Sequence, residues 1–482
     1  MTGDSRSRWL ALYVLCLGDL MIVLDTTIVN VALPSIRTDL GFTEASLAWV
    51  VNAYLLTFGG FLLLAGRFGD LYGQRRLFLI GLVIFTLASL ACGLATSKGM
   101  LVGARAVQGI GGAIVSAIVL SLLMILFTEP AERAKAMGVV GFVLSGGGTA
   151  GVLLGGILTD VLSWHWIFLV NIPVGIAVFA LCRRLLPSDS PTKEGGLDVA
   201  GAVTVTASLM LAVYAIVNGN QEGWTSGQTL GMLIGAAALL VLFVVIEART
   251  SNPLVPLSIF RIGNVASANV TGVLLAAAMF AWFFLSALYL QRVLGYSALE
   301  VGLAFLPATL LWGASSLFVS DKLVMRFGIK PPLLVGLALY AVALLFFARA
   351  PVDGNFWVDV LPGMLLLGIG GGITFNPILL AAMGSVKPTD AGLASGVVNT
   401  SFMMGGALGL AILASAAASR TDTLTASGDG PVVALNGGYH LAFMIGAAFA
   451  VIAGVVAAAF IHAEAPAMAH EAEGLPAAAE AE

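Results

Sequence analysis

The stretch "VLCLGDLMIVLDTTIVNVALP", Val14–Pro34, decides the fold class of this chain. It is apolar enough to lie in lipid and has the length, about 20 residues, that a membrane-crossing helix requires. Yet it carries Asp19 and Asp25. An ionised carboxylate at bilayer depth costs about 2.5–3.5 kcal/mol even on lenient insertion scales, so such residues are paired, face a cavity, or do work there.

Composition extends this reading to the whole chain. Of 482 residues 59% are hydrophobic and only 10% charged, with a mean hydropathy of +1.01. Soluble chains carry about 25% charged residues, so most of this surface faces lipid. The net charge of −4 supplies no concentrated basic face for nucleic acid. Cys16, Cys92 and Cys182 sit in apolar runs without metal-ligand spacing and read as small hydrophobic fillers. His165, His440, His462 and His470 offer no metal site, and no GxxxxGK[ST] loop is present. The basic start continues into an apolar run longer than a signal peptide, so it reads as a retained first helix.

Polar and turn-rich breaks mark fourteen candidate spans, near 9–33, 46–66, 77–95, 101–124, 136–159, 166–186, 199–218, 229–248, 265–290, 301–320, 333–349, 357–382, 393–417 and 439–462. The polar-flanked pair around 199–248 either spans fully or dips into the membrane. Orientation follows the excess of cytoplasmic Lys and Arg. With both termini inside, sixteen of the 22 basic residues are cytoplasmic; five are opposite (Arg37, Lys98, Arg292, Arg349, Arg420), and Arg105 lies within a span. The Ala- and Glu-rich tail, 463–482, cannot bury a core and is expected to be a disordered cytoplasmic segment.

An internal repeat divides the chain. "GIGGA" at Gly109–Ala113 recurs as "GIGGG" at Gly368–Gly372, "GGTAG" at Gly147–Gly151 as "GGALG" at Gly405–Gly409, and "DLYGQR" at Asp70–Arg75 as "MRFGIK" at Met325–Lys330. Three echoes in one order, at nearly one offset, suggest two six-helix bundles, 1–186 and 265–462, with two helices inserted in the linker 187–264. The charge is lopsided: Arg105 and Gln108 correspond to Met364 and Leu367, and Asp70 to Met325. Two-half transporters rock around a midplane site, which assigns proton handling to the first half and much of the apolar substrate wall to the second.

These residues resemble the fourteen-helix drug:proton antiporters of the major facilitator superfamily, the EmrB/QacA-type family. The resemblance covers nearly the whole chain. "LDTTIVNVALP" at Leu24–Pro34 is similar to the family's first-helix motif, "GRFGDLYGQRR" at Gly66–Arg76 to its helix 2–3 loop, and "RAVQGIGGA" at Arg105–Ala113 to its fourth-helix motif with a buried arginine. "GTAGVLLGG" at Gly148–Gly156 resembles the antiporter motif and "WHWIFLVNIPVG" at Trp164–Gly175 the start of helix 6. Two departures stand out: Val152 replaces the proline usual after the central glycine, and Leu71 replaces the basic residue that often follows the loop aspartate.

The fold expected is therefore an all-α polytopic membrane protein of major facilitator type, two pseudo-symmetric six-helix halves plus two inserted helices. Its expected function is export of small amphipathic compounds, drugs or antibiotics, in exchange for protons across the cytoplasmic membrane. A dedicated metabolite or self-produced-antibiotic exporter and a proton-coupled importer are the alternatives, because fold does not fix substrate. No cofactor or catalytic group is expected; the partners are the substrate, protons and the bilayer. An enzyme would need a clustered nucleophile or metal, and a channel a pore-lining charge ring.

Asp25 and Arg105 read either as the proton-coupling pair or as a static tie between helices 1 and 4, with Asn30 and Gln108; Gln108 shares the face of Arg105. Asp19, about 240° round the helix from Asp25, reads as attracting a cation, serving as a second proton site, or being satisfied by a neighbouring helix. Gly66, Asp70, Gly73, Arg75 and Arg76 read as a tight turn with a positive anchor, and the resemblance implies a charge-mediated conformational latch. Gly147, Gly151 and Gly155 form one stripe that permits close helix approach, with Gly156 beside it. In an antiporter that stripe can seal the two halves together. Trp282, Tyr289 and Trp312, with Phe283 and Phe284, read as helix packing or an aromatic drug wall; Asn30, Asn52, Tyr54, Gln108, Asn376 and Asn399 are polar candidates to orient a ligand.

Overall fold

The computed structural model describes residues 5–127, 129–186, 198–251, 253–383, 386 and 391–462. Among these there is no strand. Six long helices precede the linker: α1 (Ser5–Leu40), α2 (Trp49–Tyr72), α3 (Gln74–Gly93), α4 (Lys98–Leu126), α5 (Pro130–Val161) and α6 (Asn171–Leu185). Two follow, α7 (Val199–Glu222) and α8 (Gly227–Arg249). The last six are α9 (Val265–Arg292), α10 (Ala298–Ala314), α11 (Lys330–Phe347), α12 (Leu361–Met383), α13 (Ala391–Ala426) and α14 (Pro431–Phe460). Thirteen helical spans among the described residues are long and apolar enough to cross a membrane; α5, 32 residues long, completes the fourteen expected.

The expected boundaries differ mainly near the end of the chain. α13 runs to Ala426 rather than to 417, and α14 begins at Pro431 rather than at 439. Polar residues such as Thr421 and Asp422 do not stop a helix that has already left the apolar zone. Helices α7 and α8 are both of spanning length. α8 is the most apolar of the thirteen, at a mean hydropathy of 2.7, yet only 11% of it is buried. A helix apolar all round and unburied by protein faces lipid, so α8 lies at the perimeter, packed on α7.

Helix starts follow the side chains that precede them. Ser97, Asp198, Ser226 and Ser297 each accept a backbone N–H from the first turn of α4, α7, α8 and α10, with Ser297 and Glu300 completing a capping box. α10 contains Pro307 and passes into a π-helical segment, Ser315–Ser320, before its last turn, Asp321–Phe327. Such segments interrupt the regular ladder and leave a carbonyl available to other partners.

The repeat seen in the sequence is repeated in the packing. A Cβ placed on Gly81 of α3 would stand 3.2 Å from the Gly111 carbonyl of α4; its counterpart on Gly336 of α11 would stand 2.8 Å from the Gly370 carbonyl of α12. Gly73 and Gly328, which end equivalent helices, have φ of +99° and +79°, a region open to glycine and strained for other residues.

The glycine stripe of α5 packs against α1, within its own half. Gly147 meets Leu20 and Val23, Gly151 meets Thr27 and Leu24, and Gly155 meets Ile28. This corrects the expectation of a seal between halves: one stripe faces one neighbour, and that neighbour is α1. The echo in α13 does the same, Gly405 and Gly409 lying on Val273 and Ala277 of α9. Within this α5 motif it is Gly156, one residue off the stripe, that meets the other half, against Ala298 and Leu299 of α10.

The halves touch along α2 and α13, with Gly59 on Met403 and Met404 and Gly396 on Leu63, and along α5 and α10. Among the described residues, the hydrogen bonds that join α1–α6 to α9–α14 gather at the end opposite the start of α1, the far end. Asp160 accepts the N–H groups of Ala298 (3.1 Å) and Leu299 (2.8 Å), and Gln291 Nε2 donates to the Val31 carbonyl (2.9 Å). A carboxylate on a helix N-terminus is stabilised by free N–H groups and the helix dipole, so Asp160 fastens the far end shut.

Two outcomes follow. A Cβ on Gly151 would lie 2.1 Å from Thr27 Oγ1, and overpacking a tight contact costs about 1–3 kcal/mol or more. Gly151→Leu should therefore lower the melting temperature of the purified protein, and an unchanged melting temperature would contradict the contact. Asp160→Ala should speed labelling of a single cysteine placed at Leu299 by a membrane-impermeant maleimide, whereas an equal rate would show that this cap does not hold the far end.

Candidate functional site

The charged residues at depth converge on one cluster in the first half. Asp25 of α1 and Arg105 of α4 are fully buried and form an ion pair. Arg105 lies about 10 Å along α4 from its far end. A buried charge pair persists only if further hydrogen bonds support it, and this one has several. Arg105 Nε donates to the Val50 carbonyl of α2 (2.9 Å) and Nη1 to Gln108 Oε1 (2.8 Å). Gln108 Nε2 donates to Asp25 Oδ1 (2.8 Å) and to Ser89 Oγ of α3 (3.1 Å). Asn171 Nδ2, in the first turn of α6, reaches both Asp25 Oδ1 (3.2 Å) and Ser89 Oγ (3.0 Å), while Ser89 donates to the Phe168 carbonyl (2.9 Å). The guanidinium also lies over the ring of Tyr54, 4.3 Å from its centroid, a cation–π contact strengthened by desolvation.

One network thus ties α1, α2, α3, α4 and α6. Asp25, Arg105 and Gln108 are brought together as the sequence suggested; Tyr54, expected only as a polar candidate to orient a ligand, joins them through its ring. Asn30 is not: its amide donates to the carbonyls of Thr26 and Thr27 on its own helix. Asn171, Ser89 and the Val50 carbonyl were missed. Asn171 stood in the quoted helix 6 segment, and Ser89 is a polar residue in an apolar helix; nothing in the sequence marks the carbonyl.

Asp19 sits about 9 Å nearer the start of α1 and accepts the Ser116 hydroxyl of α4 at 2.7 Å. Although the two aspartates lie on different faces of α1, each finds a partner on α4. Asp19 is buried and the Ser116 hydroxyl carries no charge, so that neighbour satisfies it only as a hydrogen-bond acceptor.

Loop residues are placed differently. Gly73 makes the turn from α2 to α3, and nothing stands within 4 Å of a Cβ on Gly66. Arg75 donates to the Arg183 carbonyl at the end of α6, inside its own half; Arg76 also has a partner. The side chain of Asp70 lies outside the described residues.

The candidates for an aromatic wall separate. Trp282 is buried among Phe283, Phe305 and Phe347, and Tyr289 donates to the Pro351 carbonyl at 2.8 Å; both are committed to packing in the second half. Trp312 covers Gly371 of α12. Asn376 donates to the Ser316 carbonyl of the π segment (3.2 Å), and Asn399 to Ser395 on its own helix (3.1 Å). Asn52 is buried with neither amide atom bonded, and a buried amide with all its capacity unused calls for a partner. It is the polar candidate with most left to offer a ligand. Phe280, Phe375 and Phe402, an aromatic chain across α9, α12 and α13, were not singled out, because single phenylalanines in apolar helices carry no sequence signal.

The chain matches the Major Facilitator Superfamily over residues 15–410. It is 39% identical over 424 residues to the cephamycin export protein of Amycolatopsis lactamdurans, covering 87% of each chain. It is 37% identical to the puromycin resistance protein of Streptomyces alboniger, over 93% of this chain and 90% of that one, and 37% identical to the lincomycin resistance protein of Streptomyces lincolnensis, over 85% of each. Among solved structures its fold is shared with a POT family peptide transporter (TM-score 0.67, 17% identity, 94% and 98% covered) and a nucleoside transporter (TM-score 0.65, 12% identity, 94% and 100% covered). Helix order, mirrored packing, the matched span and full-length relatives agree: this chain belongs to the Major Facilitator Superfamily.

Proposed function

We propose that this protein is a proton-coupled antiporter that exports small amphipathic compounds, antibiotics among them, across the cytoplasmic membrane with both termini in the cytoplasm. The observation that carries the reading is the buried Asp25–Arg105 pair and its closed hydrogen-bond network. Protonating Asp25 removes the charge that Arg105 compensates and turns one of its acceptor oxygens into a donor, so the bonds that Arg105, Gln108 and Asn171 make to it must rearrange. That converts proton binding into a change in how α1 sits against α4 and α6. Asp19 is the other buried carboxylate of the same helix and a station between Asp25 and the cytoplasmic end.

The named relatives support the cargo: one exports a cephamycin, and two confer resistance to puromycin and lincomycin. Each is named for a single antibiotic, which favours a dedicated exporter as the second reading. The bundles 1–186 and 265–462 are proposed as the moving halves, with 187–264 supplying the inserted pair. The fasteners at Asp160 and Gln291 would open when the halves rock outward; the loop Gly66–Arg76, with Asp70, would act at the cytoplasmic end. The energy source is the proton gradient, with no cofactor: one charge crossing about 100 mV yields roughly 2.3 kcal/mol, over tenfold in solute concentration. The distribution of sixteen basic residues against five supports the orientation.

In everted vesicles with a preformed pH gradient, puromycin, lincomycin, a cephamycin and cationic dyes should collapse the gradient with the wild type. Asp25→Asn, inserted at wild-type levels, should abolish the collapse; normal collapse would overturn the role of Asp25. Arg105→Lys keeps the charge but loses the planar fork and the Nε bond to Val50. Losing one charge-assisted hydrogen bond, about 1.5–3 kcal/mol, should slow transport by roughly ten- to a hundredfold, and a wild-type rate would show that the fork is dispensable.

A further inference from the structure

Two more carboxylates are buried, far along the chain from Asp25. Asp198 caps α7 and Glu247 lies near the end of α8, and they are 6% and 3% exposed. Asp198 Oδ1 accepts the Gly201 N–H at 2.6 Å, and Glu247 Oε2 accepts the Val255 N–H at 3.0 Å. Each has one oxygen left over, Asp198 Oδ2 and Glu247 Oε1, and neither has a hydrogen-bond partner. Both oxygens overhang the same glycine. A Cβ on Gly201 would lie 2.6 Å from Asp198 Oδ2 and 2.8 Å from Glu247 Oε1, so the two oxygens are at most the sum of those distances apart.

Two carboxylates at such separation, both withdrawn from water, cannot both carry a charge with nothing between them. Among the described residues, the side chains packed beside them are apolar. Leu64 of α2, Ala202 of α7 and Leu254 form an apolar cluster beside them, with Phe61, Phe68 and Val255 packed on it. Arg249, two residues beyond Glu247, is exposed. On α2 the charged residues of this end are Arg67 and Asp70, whose side chains lie outside the described residues.

A metal ion would want more oxygen ligands than two, and no group of three His, Cys, Asp or Glu gathers anywhere among the described residues. A proton needs only the two. We propose that Asp198 and Glu247 form a proton-sharing carboxyl pair, a proton-binding site on the inserted helices that is separate from Asp25. The shared proton fastens the start of α7 to the end of α8, and through Glu247 to the Val255 amide of the segment leading to α9. Losing it leaves two like charges side by side in an apolar site, which pushes that junction apart. Because α7 packs on α2 and α13, the helices along which the halves meet, the proton occupancy of this pair bears on how the halves are held. The pair goes beyond the export reading and does not depend on which compound is moved.

The test is infrared difference spectroscopy on the full chain in lipid nanodiscs, titrated with pH, alongside melting temperature. Wild type should show a protonated-carboxyl C=O band at neutral pH that is absent in Glu247→Gln and in Asp198→Asn and retained in Asp25→Asn. Stability contributed by a proton bound in the folded state is lost as pH rises, so the wild-type melting temperature should fall on alkalinisation and the Glu247→Gln curve should be flatter. Glu247→Gln keeps a donor toward Asp198 without a charge, so it tests the pair even if Asp198→Asn, which weakens the α7 cap, does not fold. A band that persists in Glu247→Gln would overturn the proposal. So would a melting temperature that rises with added sodium, potassium or calcium at constant pH in wild type alone, which would assign the site to a metal cation.

Discussion

The buried ion pair between Asp25 and Arg105 is the constraint on which the first half depends. Removing one partner of a buried pair typically costs about 3–5 kcal/mol, because the other is left charged in an apolar site. Here the consequence reaches five helices, since the groups that satisfy the pair come from α2, α3, α4 and α6 as well as α1. The same convergence makes the site responsive: both carboxylate oxygens of Asp25 are engaged by Arg105, Gln108 and Asn171, so a change in its charge is felt by all three.

The second half shows what the fold needs when no charge is handled. Met364 and Leu367 occupy the places of Arg105 and Gln108 and are fully buried, so packing alone fills the equivalent position. Both halves retain the glycine contacts that let α3 approach α4 and α11 approach α12, and that seat α5 on α1 and α13 on α9. Small residues are how membrane helices approach closely without a hydrophobic driving force. The repeat is therefore a repeat of packing, and the asymmetry is one of charge.

The fourteen helices were legible because each needs about 20 apolar residues and the breaks are polar. Asp25, Arg105 and Gln108 were legible because buried charge is rare enough to point to itself. The direction of a glycine stripe was not: Gly147, Gly151 and Gly155 declare a close neighbour without saying whether it is α1 or α10. Asn171 and Ser89 were hidden because their role comes from tertiary convergence, not from spacing within one helix. Tyr289 and Trp282, attractive as ligand contacts by type, are committed to a carbonyl and to neighbouring rings. Asp198 and Glu247 were passed over because each looks like an ordinary residue at the end of a span; only the fold sets them above one glycine.

The coupling of export to a proton on Asp25 is the role proposed for the buried pair. It is tested most directly by proton release from purified protein in weakly buffered detergent, read with a pH-sensitive dye as puromycin, lincomycin or a cephamycin is added. The account predicts saturable release by the wild type and none by Asp25→Asn for any compound that binds both. Equal release by the two proteins would contradict it and place the coupling proton elsewhere.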